Sequence, residues 1–211
     1  TQLRGFTQKK TGKTHNRHPF LNLRGNLKYF FKNRKVYLPY TFSASIGLFW
    51  HFLYIYPPLF LVSSGYSPFW VGIFIAAINI PPLLFEHLVG KHLHTVGHRN
   101  FFLIGFSALA TIFLLCAFIN NLALILVLLV LSTIPLSFVE PLQPTYFFSL
   151  IAASDEHRLF PIFDTAFDVG STIGKFLPAA ILAFLPASFT YVAVGGIMFL
   201  MGILSLYIRR T

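Results

Sequence analysis

The stretch FDTAFDVGSTIGKFLP, Phe163 to Pro178, sets three charged side chains inside a run otherwise too apolar for water. At ~100° per residue, Asp164, Asp168, Ser171 and Lys175 fall within roughly 60° of one another on a helix. Gly170 and Gly174 fall on a different side, in the small-xxx-small spacing that lets another backbone approach closely. One face is therefore polar and another suits tight packing. If this helix spans a bilayer, the charged face must look into protein or water. An ionisable group costs ~2.5–3.5 kcal/mol at the bilayer centre on the insertion scale, so such groups mark function by default.

Composition decides the environment. Of 211 residues, 55% are hydrophobic, 10% are charged and 26 are Phe. A soluble domain carries about 25% charged residues, so this is the composition of a membrane protein. The net charge of +10 would suit a nucleic-acid partner on a folded soluble domain. Here the basic residues sit at the ends of apolar runs, and no nucleic-acid partner is expected. The single cysteine, Cys116, lies within an apolar run, which leaves neither a disulfide framework nor a thiolate metal site. The chain starts at Thr1 with no signal-peptide pattern, and a fragment or processed product is expected.

Outward from the opening stretch, six apolar spans emerge, each long enough for ~30 Å of hydrocarbon. They run about 36–57 (A), 68–90 (B), 101–119 (C), 122–151 (D), 161–185 (E) and 189–208 (F). The expected fold is all-α and integral to the membrane. Its domains are a basic cytoplasmic linker over 1–35, partly disordered or an interfacial helix, and a six-helix bundle over 36–211. The linker holds ten of the sixteen Lys and Arg residues. Within it TGKT, 11–14, brushes a phosphate-loop pattern, but Thr7 stands where the first Gly should be and no strand precedes it. Leu27, Tyr29, Phe30 and Phe31 interleaved with Lys28, Lys32, Arg34 and Lys35 read as a short interfacial helix.

The linker, the B–C loop (Lys91, Arg99), the D–E loop (Arg158) and Arg209-Arg210 hold fifteen of the sixteen basic residues. The A–B, C–D and E–F turns hold none. Both ends of the chain and the B–C and D–E loops are thus expected on the cytoplasmic side, in the plasma (inner) membrane. The remaining basic residue is Lys175. Polar load is uneven too. Span A carries Tyr40, Ser43, Gly47, His51 and Tyr54 on one face, B carries Gly72, Asn79, Glu86 and Gly90, and C is nearly blank. Span D carries Thr133, Ser137, Glu140 and Gln143, E the charged stripe, and F no charge before Arg209. Polar, polar, blank, twice over, suggests two three-helix repeats with the third helix of each toward lipid.

On these features the chain resembles the C-terminal half of a major facilitator superfamily transporter. The loop GKHLHTVGHR, Gly90 to Arg99, is similar to the superfamily's cytoplasmic signature G-x-x-x-D-R-x-G-R-[KR]. Gly90, Gly97 and Arg99 match it, while His94, Thr95 and His98 replace its Asp and two Arg. Loss of that Asp removes the salt bridge it usually makes. The resemblance covers about 24–211. It implies half of a twelve-helix fold, with A and D lining a substrate cavity, B and E at the seam with a missing N-terminal six-helix half, and C and F peripheral. It also implies secondary-active transport of a small solute by alternating access, with a proton as the expected coupling ion.

The residues then divide by role. His51, Trp50, Tyr54, Ser43, Thr133, Ser137 and Lys175 are the expected cavity residues. Asp164, Asp168, Glu140, Glu86, Arg99 and Lys91 are the expected coupling or gating residues. Counted from Pro161, Asp164 and Asp168 lie ~5–11 Å from the cytoplasmic face and Lys175 ~20 Å in. The acids can pair with loop cations and hold that side closed, or take up protons as access changes. Lys175 can pair with Asp168 or attract an anionic solute, and His51 can pack or titrate. Asn79 is read as an interhelical hydrogen-bond residue. His87, His92, His94 and His98 crowd one turn, but only Glu86 could complete a metal set, so neither metal nor cofactor is expected. No hydrolase triad or nucleotide loop is present, and enzyme activity is not expected. The alternative to a carrier is a non-transporting scaffold or receptor of the same fold.

Overall fold

The computed structural model describes residues 23–208, apart from the side chains of Leu23, Arg34 and 88–96. The segment 1–22, with TGKT, and Arg209-Arg210 lie outside the described residues, as do the side chains of Lys91, His92 and His94.

The described chain is helical throughout: α1 (Leu23–Lys32), α2 (Tyr37–Ser63), α3 (Pro68–Ala117), α4 (Leu122–Val139), α5 (Leu142–Leu150), α6 (Glu156–Leu182) and α7 (Ser188–Ser205). This is an all-α membrane protein. Five segments among the described residues are long and apolar enough to cross a bilayer: Tyr37–Ser63, Pro68–His87, Gly97–Ala117, Leu122–Leu150 and Ser188–Ser205. Span E, the sixth expected, is α6. Its 27 residues reach ~40 Å, long enough to cross, but Asp164, Asp168 and Lys175 keep it off the apolar count.

The boundaries follow local chemistry. α2 runs on through Pro57-Pro58, where span A was expected to stop. Each proline withholds one N–H from the ladder, and neighbouring helices stabilise the weakened turn. α2 then ends in a Schellman motif. Tyr66 N donates to Leu61 O at 3.1 Å and Gly65 N to Val62 O at 3.0 Å, with Gly65 at φ 82°. Pro68 opens α3 as its first residue. Gly97, at φ 76° and ψ 152°, breaks α3 into the two legs expected as B and C. Asn121 caps α4 by accepting from Leu124 N at 3.1 Å. Pro141 and Pro144 offer no N–H to the carbonyls of Ser137 and Glu140, so span D breaks into α4 and α5 at Glu140. Asp155 precedes α6, which begins at Glu156 and includes Pro161. Asp164 therefore sits two helical turns inside α6 rather than one.

Packing is governed by three helix pairs: α2 on α6, α3 on α4, and α3 on α7. At the first crossing a Cβ on Gly170 would overlap the Ala44 carbonyl, one on Gly174 the Leu48 carbonyl, and one on Gly47 the Phe167 carbonyl. The glycine face of the opening stretch thus meets α2 backbone to backbone. Lipid offers apolar side chains no hydrophobic drive, so such close van der Waals contact holds the pair. Elsewhere phenylalanine fills the interior. Phe42 meets Phe102 and Phe106 at ring distances of 4.6 and 5.3 Å, and Phe52 meets Phe113 and Tyr191 at 5.5 and 5.8 Å. Aromatic pairs of this kind contribute ~0.5–1.5 kcal/mol beyond area alone.

A smaller core closes one end. Asn26, Leu27 and Phe30, one face of α1, turn inward while Lys28 and Lys32 stay exposed. Phe30, Phe147, Leu159, Ile162 and Phe163 form that core, with Phe147 stacked on Phe163 at 4.3 Å. Arg158 fastens it: Nε donates to Asn26 Oδ1, and the guanidinium lies 4.6 Å from the Tyr29 ring centroid.

Candidate functional site

α2 sits between α6 on one side and α3 and α4 on the other, and its polar face joins them. The Trp50 indole N–H lies 3.1 and 3.0 Å from Glu140 Oε1 and Oε2 and donates to that carboxylate. Trp50 is buried, at 7% exposure, so this bond is largely shielded. A shielded hydrogen bond of this kind contributes ~0.5–1.5 kcal/mol net and costs more to leave unmade. Tyr54 stacks on Trp50 at 5.4 Å and 19° and donates to Asn79 Oδ1 at 2.9 Å. That bond is the interhelical one expected of Asn79, which also donates to Ile75 O of its own helix at 2.7 Å. His51 Nδ1 lies 3.1 Å from Gly47 O, and the ring stands edge-on to Phe167 of α6 at 6.1 Å. Glu140, Trp50, Tyr54 and Asn79 thus form one connected polar row across three helices, with His51 beside it on α2.

Beyond His51 the wall continues as α6. Asp164, Asp168 and Lys175 are all exposed on the bundle. Among the described residues none of their charged groups has a hydrogen-bond or ion-pair partner. Ser171 is buried at the edge of the stripe, toward α2. Tyr56 of α2 donates to the Lys175 backbone carbonyl and pins the helix at that level. Glu86 is exposed on the first leg of α3 and lies within electrostatic range of Glu140.

Other sequence candidates sit elsewhere. Thr133 and Ser137 are wholly buried and spend their hydroxyls on their own helix: Thr133 Oγ1 donates to Val130 O at 2.7 Å and Ser137 Oγ to Thr133 O at 2.6 Å. Ser43 is buried too. Arg99 has no partner among the described residues, and Arg158 meets Asn26 and Tyr29 rather than an acid of the wall. The Trp50–Glu140 bond joins residues 90 apart, and no local spacing signals it.

A bundle of apolar helices with exposed charges on α6 accords with the family comparison, whose model covers residues 4–193. The chain belongs to the MFS_1 like family. No curated protein and no solved structure matches it. Membership places this multi-pass membrane protein among transporters of small solutes rather than among enzymes.

Proposed function

We propose that this chain forms the C-terminal six-helix half of a secondary-active carrier, with α6 as its sixth spanning helix. The α2 row and the α6 stripe would be one wall of a solute path, closed by a second six-helix half. The two halves would rock about a midplane site, with both ends of this chain cytoplasmic. The observation that carries this reading is the exposure of Asp164, Asp168 and Lys175, without partners among the described residues, on a helix seated in the bundle. Lipid is a poor environment for such groups, so a water-filled or protein-lined space is the natural one.

Within that wall the residues divide by partner. Glu140 is held by Trp50, which suits a fixed group that orients solute or gates the path. Asp168 has no such partner, which suits a carboxylate that takes up and releases a proton as access changes. Lys175, deeper along the same stripe, would draw an anionic group of the solute or set the proton affinity of Asp168. Tyr54 and Trp50 add an aromatic surface beside them.

The test is solute flux in proteoliposomes containing the full-length protein, with and without a pH gradient. Gradient-driven uptake is expected, with Asp168→Asn uncoupling it from the gradient and Lys175→Ala lowering it at least tenfold, the effect of ~1.4 kcal/mol. Absence of gradient-dependent flux for any solute, with both variants matching wild type, would count for the scaffold alternative.

A further inference from the structure

A cavity of about 720 Å³ opens at the end of the bundle that carries α1. It lies between the start of α2, the second leg of α3, α5 and the residues after α7, and none of the row described above lines it. Its volume lies in the ~300–1,000 Å³ range of small-molecule sites. Lys35, His98, Tyr146, Ser149 and Tyr207 supply its polar atoms, and among the described residues no acid lines it.

Two of these groups are built in but unused. Tyr146 is 8% exposed, and its hydroxyl has no hydrogen-bond partner among the described residues. His98 leans on the Tyr146 ring at 5.5 Å, and its Nε2 is buried without a partner among the described residues. An unpaired polar atom out of water, such as His98 Nε2, is costly, and native structures keep few of them. The His98 side chain also lines the cavity. Ser149 Oγ–H already donates to Tyr146 O at 2.7 Å, which leaves that oxygen as an acceptor only. Donors at hand are thus the Lys35 ammonium, the Tyr146 and Tyr207 hydroxyls and an imidazole N–H. That set, with the Lys35 cation and no carboxylate among the described residues, fits an anion with several acceptor oxygens.

We propose that this cavity binds a phosphate group, held by Lys35, Tyr146 and His98. The phosphate could belong to an anionic phospholipid headgroup or to a soluble phosphate compound. The cavity's place at the end of the bundle, where Lys35 precedes a spanning helix, is where headgroups lie, and basic pockets between helix ends recognise such lipids. The assignment does not depend on transport.

Thermal unfolding of the full-length protein in detergent tests it, with phosphatidylglycerol, phosphatidylcholine or inorganic phosphate added separately. Binding to the folded state raises Tm. Phosphatidylglycerol is expected to raise it, with phosphatidylcholine giving little change. The rise should shrink in Lys35→Gln and in Tyr146→Phe and vanish in the double variant. A rise from inorganic phosphate, lost in the same variants, assigns the cavity to a soluble phosphate compound. No rise with either anion, an equal rise with phosphatidylcholine, or an undiminished rise in the double variant overturns the proposal. Tyr146→Phe removes one oxygen and keeps the ring, and Lys35 is exposed, so neither change should prevent folding.

Discussion

At the scale of single residues the wall depends on Trp50 and Glu140. Trp50→Phe removes the donor that both carboxylate oxygens share. It is expected to destabilise the protein by ~1–3 kcal/mol, the cost of leaving a part-buried acceptor unpaired. Glu140→Gln in the same background should recover part of that loss, because a neutral amide is cheaper to strand than a carboxylate. Thermal unfolding of the two single variants and the double variant measures the coupling, and strictly additive effects would argue against the bond. This contact was illegible in the sequence, since it joins residues far apart in the chain. Asp164, Asp168 and Lys175 were legible, because charge inside an apolar run needs no partner to be noticed. Thr133 and Ser137 show the converse. Periodicity places a hydroxyl on a face but cannot say whether it turns to its own backbone carbonyl.

At the scale of elements, the glycine spacing of α6 was readable and its partner was not. Gly170 and Gly174 announced a close approach, and the structure supplies Ala44 and Leu48 of α2 as what approaches. Gly170→Val should force the helices apart and cost at least ~2–3 kcal/mol, within the range for overpacking a tight contact. Gly196→Ala on α7 meets nothing within 4 Å and should be neutral or stabilising by up to ~1 kcal/mol. Chemical or thermal denaturation of the two variants side by side distinguishes a packing glycine from an incidental one. Gly97 is a third case. Its φ of 76° and ψ of 152° lie where essentially only glycine goes, so Gly97→Ala should cost ~1–3 kcal/mol although the space around it is open. A stability equal to wild type would mean that the break between the legs of α3 can relax. Proline was a weaker guide to element ends. α2 passes through Pro57-Pro58, yet α4 stops before Pro141, because helical continuity depends on what the neighbours can hold.

For the whole molecule, the packing repeats the sequence pattern of two three-helix units. Exchanging α2 with the α4–α5 span, the first leg of α3 with α6, and the second leg of α3 with α7 maps observed pairs onto one another. The α2–α6 crossing corresponds to the groove where Phe74 and Ala77 of α3 face Leu126 and Val130 of α4. The contact of Phe52 with Tyr191 corresponds to that of Gly105 with Val139. The second leg of α3 packs on α7, where Gly195 meets Phe113, and that pair maps onto itself. Such repeats are an established basis of carriers. The polar-polar-blank rhythm made this much readable, whereas the exposure of the α6 charges, without partners among the described residues, needed the fold.

The shielding of those charges from lipid is the central claim, and nitroxides placed singly at 164, 168 and 175 of the full-length protein in bilayers test it most directly. Collisions with a water-soluble nickel chelate should exceed those with oxygen at all three sites, or both should be low where the proposed second half would cover them. Oxygen-dominated collisions at all three, the signature of hydrocarbon, would contradict a wall turned toward a solute path.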